Sequence, residues 1–397
     1  MNKTTLSIGA PIGLRDIWIA CSRFLFPGNA EGEFEASIAR FSGKKSVYLV
    51  NSGTTAFYVI LKALKKLCQG DEVILPAYTA PSLVLPIKKA GLKAVLCDIS
   101  METYNMNLAA LGDAISSNTL CVVPVHMFGL PLDMPALLEL CGNHSLFVVE
   151  DAASSMGSRL KGRQTGTFGG VGFFSFNRGK NFTTFSGGSI VTDDQELDEA
   201  IEDEYRKLKH SSRAEQALVL MKLALLYLAF KPMPYTLLKG VASKFKYQHL
   251  HQDFSVSRYN GFQAALGVSL WRKMEDMFGS RMRNSLYLLQ ALENNDRVRL
   301  PRWPDASEPV LNQFPIVLQD PKMRDSLHLR LNAQGIESTV LYPYPVHLCY
   351  DIGYERAEDL FPNAAYLSKR LLLIPVHPLV KMEALDKAIE ILKSSPS

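Results

Sequence analysis

The stretch "VGFFSFNRGK", Val171 to Lys180, decides how this chain is read. Its first half is apolar without helical spacing, as expected of a strand buried on both faces. It then runs into a turn and a lysine. Lysines usually sit in water. Lys180 is therefore either a surface charge that ends the strand or an amine placed there for chemistry, and the surroundings have to decide.

Outward from this point the pattern repeats. "SVYLV", "EVILP", "KAVLCDI", "TLCVVPV", "SLFVVED", "VGFFSF" and "GSIVTDD" read as strands between Val47 and Val191. Amphipathic stretches such as "TTAFYVILKALKKL" and "PLDMPALLELCGNH" lie between the early ones. Such alternation predicts a mostly parallel sheet covered by helices, whose ligands gather at the carboxyl ends of the strands. After about Gln195 the period turns helical. From about Val298 strands ("NQFPIVLQ", "IESTVLYPYP") and helices mix, which predicts a smaller α+β unit.

Composition narrows the class. The 397 residues are 47% hydrophobic and 21% charged, enough for about two domains. A net charge of +4 with no basic run among aromatics argues against nucleic acid. The six scattered cysteines form no C-x-x-C pair and fit reduced thiols in a cytoplasmic protein. The N-terminus has no apolar signal core, so secretion is not expected. No metal-ligand spacing occurs.

Three polar clusters sit at predicted strand ends. "NSGTTAF", Asn51 to Phe57, opens a helix; it is either an ordinary capped turn or an anion site, with Gly53 allowing close backbone approach. Glu150 and Asp151 end a buried strand. They either cap the next helix or await a cationic partner, because an unpaired buried carboxylate is costly. Ser175 and Lys180 form the third cluster. A phosphate site, an acid and a lysine at strand ends are what pyridoxal phosphate requires.

In these motifs the chain resembles the DegT/DnrJ/EryC1/StrS family of sugar aminotransferases. The resemblance runs from about Gly28 to Lys393, through "NSGTTA", "DEVILPAYT", "PVHMFGLPLDM", "VVEDAASSMGS", "TGTFGGVGFFSFNRGKNFTTFSGGSIVTDD", "QAALG", "YPYPVHL" and "LLLIPVHPLV". It implies the α/β fold of aspartate aminotransferase (fold type I). A large domain with a mostly parallel seven-stranded sheet would occupy 1–265, and a small α+β domain 266–397. It further implies pyridoxal 5'-phosphate, with Lys180 as the Schiff-base lysine, Asp151 as partner of the pyridine nitrogen, and Thr54, Thr55 and Ser175 at the phosphate. Arg258 falls in a segment that relatives extend into a neighbouring subunit, which implies a homodimer. Tyr342 and His347, in "YPYPVHL", fall on the substrate side. His126 reads as a packed, hydrogen-bonded histidine. Several positions depart from the family pattern. Ala80 replaces an aromatic that stacks on the cofactor, leaving Tyr78 as the nearest aromatic. Ser154 stands where Gln, His or Glu is usual. Val256 replaces an Asn and Asn312 a His, and "FSGG" stands for "GEGG".

The implied reaction moves an amino group, from glutamate, onto a nucleotide-activated keto-sugar. A lipid-linked or apolar carbonyl substrate and a non-catalytic scaffold are the alternatives. The former is prompted by an insertion at about 206–252. Its apolar run Ala217–Phe230, about 14 residues, is too short to span a bilayer and has basic flanks. Over 206–246 it is expected to turn an apolar face towards either the partner subunit or the inner face of a membrane.

Overall fold

The computed structural model describes residues 4–229 and 250–394. The remainder of the expected insertion, 230–249, lies outside the described residues. All seven strands read from the N-terminal half are present: β1 (Ser46–Val50), β2 (Glu72–Pro76), β3 (Lys93–Cys97), β4 (Thr119–Val122), β5 (Phe147–Asp151) and, after the short hairpin β6 (Arg159–Leu160) and β7 (Arg163–Gln164), β8 (Val171–Ser175) and β9 (Gly188–Thr192). They form one sheet in the order β1-β9-β8-β5-β4-β2-β3. Only β9 runs against the others. The carboxyl ends of β1, β8 and β5 therefore share an edge, and the start of β9 meets them there: Gly188 pairs with both Val50 and Ser175. This is an α/β fold of the aspartate-aminotransferase kind, with a mostly parallel seven-stranded sheet.

Both faces are covered. Helix Gly53–Leu67 turns Ala56, Phe57, Ile60, Leu61 and Leu64 inward against β8 and β9. On the opposite face lies an aromatic cluster of Phe34, Phe174, Phe176, Phe182 and Tyr259, with the indole of Trp271 edge-on to Phe34 and Phe182. Each such buried side chain contributes roughly 1.5–3 kcal/mol. Helix Gly261–Trp271 packs here on helices Leu14–Leu25 and Ala30–Ser42, so the division expected at 265/266 falls inside one helix.

The C-terminal part carries a small antiparallel sheet of β10 (Val298–Arg299), β12 (Phe314–Leu318) and β13 (Leu371–Ile374), while β11 (Ser307–Glu308) joins the hairpin β6–β7. "IESTVLYPYP" is not the strand expected. It touches β13 only through Thr339 and Leu373, and Tyr342 takes a left-handed φ of 44°. Pro343 and Pro345 supply no ladder donors. The strand beside β12 is instead the apolar "LLLI" of β13.

A strap from the N-terminus locks onto this part. The Thr5 amide donates to Gly335 O, and the Ser7 amide and hydroxyl to Glu337 Oε2 at 2.8 and 3.0 Å. His377 Nε2 donates to Leu6 O at 2.9 Å. Gly9 has to be glycine, because a Cβ there would lie 2.6 Å from the His377 ring.

The insertion begins as helix Arg213–Ala229, packed against helix Leu14–Leu25. Leu223 and Tyr227 face inward. Leu218, Met221, Leu225 and Leu228 are 44–53% exposed.

Candidate active site

The site is assembled along the shared strand edge. After β1 the chain turns through Asn51 and Ser52 into helix Gly53–Leu67. Ser52 caps the helix, its Oγ accepting the Thr55 amide at 3.0 Å. The first amides of a helix face outward with the positive end of its dipole. Here the helix start lies against Ser175 at the end of β8: a Cβ on Gly53 would lie 3.0 Å from Ser175 Cβ, and one on Gly188 only 2.7 Å from the Gly53 nitrogen. The glycines draw three chain segments into a cradle for an anion.

Beside it, at the end of β5, two acids part company. Glu150 is fully buried and fully answered. Its Oε1 accepts the Gly166 amide at 2.6 Å and His126 Nε2 at 2.7 Å. Its Oε2 accepts the amides of Phe168 and Gly169 at 2.7 and 3.0 Å. The Leu132 amide donates to His126 Nδ1, so the proton sits on Nε2. Burial alone would raise the Glu150 carboxyl, but His126 and the loop amides outweigh it and hold it below its ordinary value. Asp151 is less provided for: Oδ1 accepts the Ala153 amide at 2.9 Å. Burial raises its carboxyl above the usual range, while that amide and the Lys180 charge pull it down.

Lys180 completes the group. The turn after β8 brings it back over β5, where Nζ donates to Ser154 Oγ at 2.9 Å. Burial pushes its ammonium below the ordinary lysine value, opposed by Asp151. This favours an uncharged amine, the form that attacks a carbonyl. Two residues absent from the sequence-based set hold the turn. Asn181 Nδ2 donates to Met156 O and Val310 O at 3.0 and 2.6 Å. Arg281, wholly buried, donates to Lys180 O and Asn312 O at 3.3 and 2.8 Å. Neither left a signal in sequence, since their partners lie far along the chain.

The profile of the DegT/DnrJ/EryC1/StrS aminotransferase family matches residues 17–393. The chain belongs to this family. It is 29% identical over 369 residues to a UDP-N-acetyl-3-dehydro-α-D-glucosamine 3-aminotransferase of Acidithiobacillus ferrooxidans, covering 92% of this chain and 88% of that one. It is 30% identical over 358 residues to a dTDP-3-amino-3,4,6-trideoxy-α-D-glucose transaminase of Streptomyces venezuelae, covering 90% and 84%. Among solved structures it is similar to DesV of S. venezuelae in complex with a ketimine intermediate, with a TM-score of 0.79, 27% identity and coverage of 96% and 95%. As a member of the family it is a pyridoxal-phosphate aminotransferase. The residues present fit that cofactor. The glycine-lined cradle suits its phosphate, and Asp151, short of partners, suits a protonated ring nitrogen within reach of the Lys180 group.

Against this DegT-family site the remaining expectations divide. Thr54 is half-buried at the cradle, whereas the Thr55 hydroxyl is enclosed and spent on Asn51, Ser52 and Ser255 O; it braces the turn. Tyr78 is buried, donates to Leu341 O at 2.7 Å and meets Tyr342 edge-on, so it ties the β2 loop to the C-terminal part. His347 is turned inward in this chain. It is 1% exposed, with Nε2 donating to Ala357 O and its ring against Phe361, because it lies on the inner side of the short helix Val346–Cys349. Arg258 bridges to Val50, its guanidinium 4.6 Å from the Tyr205 ring centre, and takes no part in the Lys180 group of its own chain. Next to it, Ser255 and Ser257 bond Asn51. Asn312 accepts the Gln313 amide and supplies a carbonyl to Arg281.

Proposed function

We propose that this chain transfers an amino group from glutamate to the keto carbon of a nucleotide-linked sugar, in amino-sugar or polysaccharide biosynthesis. The observation that carries the reading is the half-buried Lys180 amine, held by Ser154 Oγ at 2.9 Å and coupled to the Asp151 carboxylate, on the strand edge that also carries Gly53 and Ser175. The relatives named for UDP- and dTDP-linked sugars supply the substrate class. Pyridoxal phosphate, when bound, supplies the electron sink. The helix start with Gly53, Thr54 and Ser175 would hold its phosphate, and Asp151 would keep the ring nitrogen protonated. Ser154 aims Lys180 Nζ, which takes and returns the proton as the amino group changes hands.

The test is turnover of purified protein supplied with glutamate and UDP- or dTDP-linked keto-sugars, with products weighed by mass spectrometry. An aminated sugar formed in step with 2-oxoglutarate, and absent in Lys180→Ala, is expected. Amino transfer from glutamate to free keto acids, with no nucleotide-linked sugar accepted, would overturn the substrate class. The working unit is proposed to be a homodimer, and a fully active monomer in sedimentation would refute it.

A further inference from the structure

Half of the large apolar side chains most exposed among the described residues belong to two helices packed on one another. On helix Leu14–Leu25 and the residue after it, Leu14, Trp18, Leu25 and Phe26 are 65–73% exposed. Leu14, Trp18 and Leu25 are spaced four and seven apart, so they form a single stripe. On helix Arg213–Ala229, Leu218, Met221, Leu225 and Leu228 form a second stripe, opposite the buried Leu223 and Tyr227. A monomer rarely leaves this much apolar surface together without a use for it.

Charge selects the use. The exposed ionic residues of the two helices are Arg15, Arg23, Arg213 and Lys222 against Glu215 alone, since Asp16 is buried and bonded to Lys273. A second copy of this chain would bring cations against cations across a two-fold axis. A membrane rich in anionic phospholipid offers the opposite charge and an apolar layer to receive leucines, with Trp18 and Phe26 at the depth where such rings settle. No helix of the described residues is long and apolar enough to cross a bilayer, so contact lies in the interface. We propose that this helix pair docks the enzyme on an anionic membrane surface. The proposal goes beyond the amino-transfer reaction and does not depend on its substrate.

The full chain with cofactor is floated with vesicles of phosphatidylcholine alone or mixed with phosphatidylglycerol, at low and high salt. Binding to the mixed vesicles that weakens with salt is expected, with a blue shift of Trp18 emission that Trp18→Phe abolishes. Trp18→Glu and Leu225→Glu should each reduce binding by roughly tenfold or more, with amino transfer from glutamate and sedimentation mass unchanged. Absence from the floated fraction under every condition would overturn the proposal. So would vesicle binding that both variants retain, or variants that change the oligomeric mass instead, which would assign the face to a second copy.

Discussion

Lys180 and Asp151 set each other's charge inside a shell that disfavours both ions. Lys180 must be uncharged to capture a carbonyl cofactor. Since burial lowers its pKa, the rate of pyridoxal-phosphate capture by cofactor-free protein should reach half its maximum at a pH below 10.5. Asp151 opposes this shift. Asp151→Asn should therefore move the midpoint lower still while removing most turnover. Stopped-flow absorbance across a pH series checks both, and a midpoint that rises in the variant would refute the coupling. At this scale much of the site was legible, because Asp151, Ser175 and Lys180 stand at the ends of apolar runs where polar residues are conspicuous. The inward turn of His347 was not legible, because a histidine two residues after Pro345 carries no mark of the small helix that buries it. Asn181 and Arg281 were silent for a different reason. Their bonds go to backbone carbonyls, which leave no trace in the identity of the partner.

The elements around the site are joined by glycine contacts and by one buried carboxylate. Gly53→Ala keeps a helix-compatible backbone but sets a methyl 3.0 Å from Ser175 Cβ. Crowding of this kind costs roughly 1–3 kcal/mol, and here it falls on the cradle. The crowding is present with or without cofactor, so the urea midpoint should fall by that measure and cofactor affinity should drop as well, as urea unfolding and cofactor titration of the variant would show. Glu150→Gln attacks the tie between β5 and the 166–169 loop. An amide nitrogen would face N–H donors, so a loss of about 3 kcal/mol at neutral pH is expected. The depressed carboxyl sets the sign with pH. Its stabilisation is complete above 4.5 and is lost as pH falls through the lower folded value. Urea midpoints along an acid series should show this limb in the native protein and not in the variant. The elements themselves were readable where period and length agreed, as in all seven sheet strands. "IESTVLYPYP" alternates like a strand and failed, because its prolines and the left-handed Tyr342 take it out of the ladder. The sheet order was not readable, since nothing in β9 announces that it alone is reversed.

For the molecule as a whole, the strap and His377 govern behaviour in acid. Burial pushes His377 down to about 4 from 6.5, with the Leu6 carbonyl opposing. Between those values the unfolded chain binds the proton and the folded one does not, so stability falls as pH drops from 6.5 towards 4. The shift corresponds to about 3 kcal/mol. His377→Gln, able to donate to Leu6 O, should flatten this window and leave the deeper loss due to Glu150 in place; thermal midpoints across the range would show it. The strap also bears on how the protein comes into being. Ser7 is made 330 residues ahead of its partner Glu337. At synthesis rates of about 5–20 residues per second, the strap waits roughly 20–60 s for its dock. The large sheet, complete by Thr192, has long been translated by then. A nascent chain thus passes through a stage in which every strand of the large sheet has been translated while the strap is undocked and Asn181, beside Lys180, lacks its Val310 partner; residues 298–397 supply both.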